Sequence, residues 1–285
     1  AGEKNAEVSI HVYDLASKNI QKVDAGSEKD IYLPRIYWTK DANQLAFIRL
    51  NRLQNKLDLF HANATTGSSK LILSEESETY VDLDYNDNLQ YLSDGKSFIR
   101  TSEKDGYKHI YHHGIDGSLI RQITSGAWEV TELVGVDEKN KKIYFVSAEV
   151  SPLERNFYVI DFSGKNKKTL TPLAGTHRIN MSSDHRFFID YYSTAEMPQL
   201  VTLHESSGKL LKSLEDNGEL KERLKSFALG KKEFFTFPTV DGTALNGYVI
   251  KPADFDPNKK YPVLMYVYGG PGSQNVLNSW GGTRE

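Results

Sequence analysis

The chain has no cysteine among its 285 residues. That excludes disulfides, thiolate metal sites and a cysteine nucleophile, and leaves the compartment open. It has little net charge: 35 Lys and Arg against 38 Asp and Glu give −3 at pH 7. Neither nucleic acid nor an anionic membrane surface is expected as a partner. No apolar run is long enough to cross a bilayer. No leader pattern stands at Ala1, and the chain reads as beginning in mid-fold. The patterns G-x-S-x-G, H-E-x-x-H and the phosphate loop do not occur. The eight histidines are scattered, so none is placed as a catalytic base. His112-His113, adjacent and so on opposite faces of a strand, is poor metal-ligand geometry and reads as a surface turn. Nothing calls for a metal or a cofactor.

What is present is a repeat. Leu57–Phe60, His109–His112, Phe157–Ile160 and Leu200–Leu203 are short β-prone runs, each followed by a turn that ends in Gly67, Gly117, Gly164 or Gly208. Those glycines lie 50, 47 and 44 residues apart. An earlier unit, Val12–Leu15 before Ala16–Asn19, has the same form without the glycine. A second marker keeps the same phase. Asp41-Ala42-Asn43, Ser93-Asp94-Gly95, Asn140-Lys141-Lys142 and Ser183-Asp184-His185 are polar turns, each feeding a β-prone run. Units of about 45 residues with roughly four strands predict β-propeller blades, about four of them. A β-sandwich with coincidental spacing is the alternative.

The pattern changes at residue 213. Ser213–Phe227 carries Leu214, Leu220, Leu224 and Phe227 among charged residues, which predicts a short amphipathic helix capped by Asp216 or Asn217. Phe234–Val240 and Leu245–Ile250, joined at Asp241-Gly242, predict a hairpin. The apolar run Tyr261–Tyr268 then leads into Gly269-Gly270-Pro271-Gly272. It predicts a fully buried parallel strand that breaks into a tight loop at its carboxyl end, where α/β sheets collect catalytic groups. The divisions are therefore 1–212 (part of a propeller), 213–230 (junction helix and linker) and 231–285 (the first strands of an α/β-hydrolase domain).

Three segments carry a family resemblance: Lys259–Gln274, Leu50–Asn55 and Gly126–Val130, with Leu214–Asn217 fitting the junction. The chain resembles the dipeptidyl peptidase IV branch of the prolyl oligopeptidase family of serine peptidases. The resemblance implies a propeller capping an α/β-hydrolase, and removal of N-terminal dipeptides with Pro or Ala second. It also implies a Ser–Asp–His triad beyond Glu285, a homodimer, and peptide substrates with a free N-terminus in a periplasmic or extracellular setting. The family's amine-binding Glu pair belongs to earlier blades, so the acidic cluster Glu75-Glu76 reads as a solvated loop.

One catalytic residue carries over. Tyr268 is the expected oxyanion-hole donor, since a phenol keeps its proton at neutral pH and donates a hydrogen bond to a developing oxyanion. Tyr266, two residues earlier and on the same face of a regular strand, is the rival. Tyr80, Asp82, Asp84 and Tyr85 lie between two blades and are expected to line the substrate cavity. Trp128 reads as blade core. Two alternatives remain: a non-catalytic propeller that binds peptides or proteins, and a related oligopeptidase or acylaminoacyl peptidase.

Overall fold

The structure, a computed structural model, describes residues 3–270 and 273–281. The chain divides into two compact units, Ala1–Gly126 with Phe162–Gly164, and Ala127–Asp161 with Lys165–Glu285.

In the first unit, β1 (His11–Tyr13) and β2 (Ile20–Lys22) form a two-stranded antiparallel sheet. Next comes a four-stranded antiparallel meander of β3 (Ile31–Trp38), β4 (Gln44–Asn51), β5 (Lys56–Asn63) and β6 (Ser69–Glu76). A second meander follows: β7 (Leu89–Tyr91), β8 (Ser97–Ser102), β9 (His109–Gly114) and β10 (Leu119–Gln122). Side-chain alternation explains why β4 reads as a continuous apolar run rather than an alternating one. Ala46, Ile48 and Leu50 join Leu57, Leu59, Tyr91 and Phe98 in one core cluster. Leu45 and Phe47, on the opposite face, join Ile10, Val23 and Ala62 in another. The sheet is buried on both sides, as a stacked blade must be.

In the second unit, β11 (Val130–Asp137), β12 (Lys142–Ser147), β13 (Asn156–Asp161) and β14 (Lys168–Thr169) form one meander. A further meander comprises β15 (Thr176–Met181), β16 (Phe187–Thr194), β17 (Met197–Glu205) and β18 (Leu210–Glu215). Tyr144, Val146, Phe157 and Val159 pack with Ile179 and Phe188 between these two sheets. Trp128 stacks on the buried Phe145 at 6.4 Å, in keeping with a core role.

The chain is mainly β, with four blade-type sheets among the described residues. Both repeat markers have a structural meaning. The polar turns join the first and second strands of each blade, and the glycine turns join the third and fourth. The glycines have positive φ, and at two of them the backbone of the preceding sheet leaves no space for a side chain. A β-carbon on Gly67 would sit 2.1 Å from the Lys22 carbonyl oxygen, and one on Gly117 1.9 Å from that of Ile72. The period thus marks where one blade's outer hairpin rests on its predecessor.

Four expectations are corrected. Residues 213–215 finish β18, so the helix α1 is confined to Gly218–Leu224 and buries no residue. Leu210–Glu215 pairs with β17, and that ladder outcompetes a helix whose apolar stripe has nothing to cover. Asn217 makes no side-chain cap, while Asp216 Oδ1 accepts the Gly218 N–H at 2.8 Å. His112-His113 is no surface turn: both lie in β9, and the buried His113 stacks on Phe98 at 5.3 Å. Glu75 lies within β6, paired with a buried arginine described below, and is not a solvated loop residue.

The fourth correction concerns the C-terminal apolar run. The hairpin of β19 (Lys232–Pro238) and β20 (Ala244–Ile250) forms with Phe237 opposite Leu245. Residues 261–268, however, take no strand pairing, and Val263–Val267 are each at least 79% exposed. A strand apolar on both faces needs a partner on each edge and a layer over each face. Among the described residues no strand lies alongside it.

Candidate functional site

The loop between β6 and β7 is built by side chains turned back on its own backbone. Asp82 Oδ1 accepts the Tyr85 N–H at 3.0 Å, and its carbonyl accepts the Asn86 N–H at 3.1 Å and the Asn86 side-chain amide at 2.9 Å. Such local side-chain-to-backbone bonds are what favour an aspartate at a bend. The Val81 N–H donates to the Gln54 carbonyl, and Leu83 plugs the first-unit core.

Charged residues from the flanking strands then fix the loop. On β3, Arg35 donates to Asp84 at 2.6 Å through Nη2 and to Asp87 at 2.5 Å through Nε. The Tyr37 hydroxyl donates to the same Asp87 carboxylate. These carboxylates, the Asp87 bond first, raise the Arg35 guanidinium above its ordinary value. Burial, with the Asp87 bond, pushes the Tyr37 phenol far up. Lys108 donates from Nζ to the Tyr85 carbonyl at 2.5 Å and lies 3.9 Å from the centre of the Tyr85 ring.

A buried ion pair joins β6 to β8. Arg100 of β8, 6% exposed, donates from both Nη atoms to both Glu75 oxygens, at 2.8 and 2.9 Å. Ser102 adds a third bond to Glu75 at 2.7 Å. Planar, bidentate geometry of this kind is the strong form of a charged hydrogen bond.

Of the four expected cavity residues, the structure joins Asp82 with Tyr85 through the turn and ties Asp84 to Arg35. Tyr80 stands 49% exposed, with its N–H donating to Ser77 Oγ at 3.3 Å. Arg35, Tyr37 and Lys108 as partners of this loop, and Arg100 as the partner of Glu75, were not foreseen. Arg35 and Asp84 are 49 residues apart in sequence, and a single chain offers no signal that pairs them.

Tyr268 belongs to the second unit and is 60% exposed. Its ring folds over Gly270, where a β-carbon would meet the hydroxyl at 2.7 Å. Only glycine at 270 admits that pose. Pro271 and Gly272 of the expected loop lie outside the described residues. Tyr266 is 79% exposed, and without a regular strand the shared face expected of the two tyrosines is not formed. The nearest thing to a catalytic pair elsewhere, the buried His177 with Asp190 at 2.8 Å, has its other ring nitrogen against the Leu173 carbonyl at 3.0 Å. Neither nitrogen is left to take a substrate proton.

Residues 1–199 match the model of the dipeptidyl peptidase IV N-terminal region. The chain belongs to the dipeptidyl peptidase IV family. It is 31% identical over 289 residues to a probable dipeptidyl peptidase 4 of Arthroderma benhamiae, covering 97% of this chain and 37% of that protein. Identity to the dipeptidyl peptidase 4 of Trichophyton rubrum is 31% over 292 residues, with the same coverage. Among solved structures, dipeptidyl peptidase 4 of Porphyromonas gingivalis superposes with a TM-score of 0.91 at 41% identity, over 98% of this chain and 40% of that one. A putative dipeptidyl aminopeptidase IV of Bacteroides ovatus gives 0.85 at 29%, over 98% and 42%. The chain thus spans about two fifths of the length of these dipeptidyl peptidase IV relatives.

Proposed function

We propose that this chain is part of a serine exopeptidase that releases dipeptides with Pro or Ala in second position from free peptide N-termini. The observation that carries the reading is the 41% identity to a dipeptidyl peptidase 4 over 98% of the chain, which leaves too few residues outside it to omit the segment around Tyr268. Residues 1–212, with β18 completed at Glu215, serve as propeller blades, 213–230 as the junction, and 231–285 as the start of an α/β-hydrolase domain. Tyr268 donates its phenolic hydrogen to the oxyanion that forms when a serine attacks the scissile carbonyl. Tyr80, Asp82, Asp84 and Tyr85 face the substrate cavity, with Arg35 and Lys108 fixing their loop. The complete protein acts as a homodimer in a periplasmic or extracellular space.

The 285-residue chain by itself is inactive on this reading, since it contains no G-x-S-x-G nucleophile turn. Two measurements test this. Reading the gene past the Glu285 codon should reveal a G-x-S-x-G motif, whereas a stop codon there supports a non-catalytic propeller module. Turnover of a Gly-Pro chromogenic substrate that co-purifies with the 285-residue chain would refute the inactivity of the isolated chain. In the complete enzyme, Tyr268→Phe should lower kcat by roughly 10²–10³-fold, the usual cost of one oxyanion donor. A panel of free and blocked N-termini separates a dipeptidyl peptidase from an acylaminoacyl peptidase.

A further inference from the structure

Residues 261–270 and 273–281 differ in how they are held. Residues 262–269 of the first run are exposed and take no strand pairing, whereas residues 276–280 are half-buried. Three residues attach this second stretch to the sheet of β15 and β16 and to the loop preceding β13. Asn278 makes three bonds. Its N–H donates to the Leu153 carbonyl at 2.8 Å, its carbonyl accepts from Thr176 Oγ1 at 3.0 Å, and its side-chain Oδ1 accepts the Ala195 N–H at 2.9 Å. Gln274 accepts from Arg155 Nη2 and donates to the Pro152 carbonyl at 2.6 Å. The Trp280 N–H donates to Ser193 Oγ at 3.3 Å.

Thr176 and Ser193 face each other across the ladder at the end where β15 begins and β16 ends, and Ala195 is in the turn just beyond. The segment therefore lies across a blade end and supplies a partner to the Ala195 N–H that the ladder does not pair. Asparagine suits this place: its backbone makes two of the bonds while its short side chain reaches the third.

We propose that residues 274–280 are a latch that fixes the loop carrying Tyr268 to the end of the last blade sheet, with Asn278 as the central positioning residue. The inference rests on the assignment of Tyr268 as oxyanion donor. Tyr268 stands six residues before Gln274, and six extended residues reach at most about 20–22 Å. The latch thus confines the phenol to the neighbourhood of the blade end even where residues 261–268 take no strand pairing. An oxyanion donor acts by being in place before the reaction, and a misplacement of about 1 Å can cost as much as 10²-fold in rate. The docking bonds come from the blade, so blade and loop geometry are coupled.

The test has two arms. In the 285-residue chain, Asn278→Ala and Thr176→Val are compared with wild type by hydrogen exchange. The Ala195 amide should exchange at least tenfold faster in Asn278→Ala, with amides of β12 and β13 unchanged. Asn278→Asp, which keeps an oxygen acceptor, should restore protection. An Ala195 amide equally exposed in wild type and variant overturns the latch, whether or not the complete protein is a peptidase. In the complete enzyme, Asn278→Ala and Thr176→Val should lower kcat for a dipeptide p-nitroanilide about tenfold, with KM changed less than twofold and kcat recovered in Asn278→Asp. Loss of Ala195 protection with kcat unchanged would refute the positioning role while leaving the peptidase assignment standing.

Discussion

The Glu75–Arg100 pair offers the sharpest test of the structure against a reading of the sequence alone. If Glu75 were a solvated loop residue, removing its charge would cost no more than a surface ion pair, about 0–1 kcal/mol. In the structure the side chains are only 13% and 7% exposed, and both Nη atoms of the guanidinium are committed to the carboxylate. Glu75→Gln keeps the shape but leaves a buried cation without its counter-charge, for which the expected loss is about 3–5 kcal/mol. Replacing both partners, Glu75→Gln with Arg100→Met, removes the stranded charge. The double variant should be more stable than the sum of the two single losses predicts, by about 1–3 kcal/mol. Urea unfolding followed by circular dichroism measures all four proteins. Single losses below 1 kcal/mol that add without coupling would refute the buried pair.

Three further outcomes follow from the first unit. His61, 5% exposed and bonded to the Tyr91 hydroxyl at 2.7 Å, is lowered to about 4 by burial and by Lys70. Its unfolded value is about 6.5, so between pH 6.5 and 4 the unfolded state binds the extra proton. The stability it contributes is complete above pH 6.5 and is lost as pH falls toward 4, by roughly 3 kcal/mol; His61→Gln should flatten that slope in urea titrations. Gly117→Ala should destabilise by well over 1 kcal/mol, because positive φ and the Ile72 carbonyl both oppose a β-carbon. Gly95→Ala, with positive φ but open space, is the control and should cost only about 1 kcal/mol in thermal unfolding. Arg35→Ala should speed hydrogen exchange across residues 81–88 while β4 and β5 stay protected; unchanged exchange would show that the arginine does not hold the loop.

The blades were legible because their determinants are local and recur. A polar turn before one strand and a glycine turn before another repeat in phase, and turn residues of these types are recognisable in the sequence wherever they stand, although the carbonyls that crowd Gly67 and Gly117 belong to the preceding sheet. The hairpin of β19 and β20 was readable for the same reason, from Asp241-Gly242 between two β-prone runs. The reading failed where formation depends on what lies alongside. Ser213–Glu215 has a helical pattern, yet β17 offers those residues a ladder. Tyr261–Tyr268 has the composition of a buried strand, and composition does not supply the neighbours that pair and cover it.

The amino-acid sequence alone determined the number of blades, their phase and the family, because turn chemistry and side-chain alternation act over short distances along the chain. Only the tertiary structure decided that Glu75 is sealed against Arg100, that Arg35 clamps the loop of Asp84 and Asp87, and that Asn278 is moored to a blade end. These are pairings across 25, 49, 52 and 83 residues. Their partners are chosen by which strands come to lie together, and no local pattern records that choice.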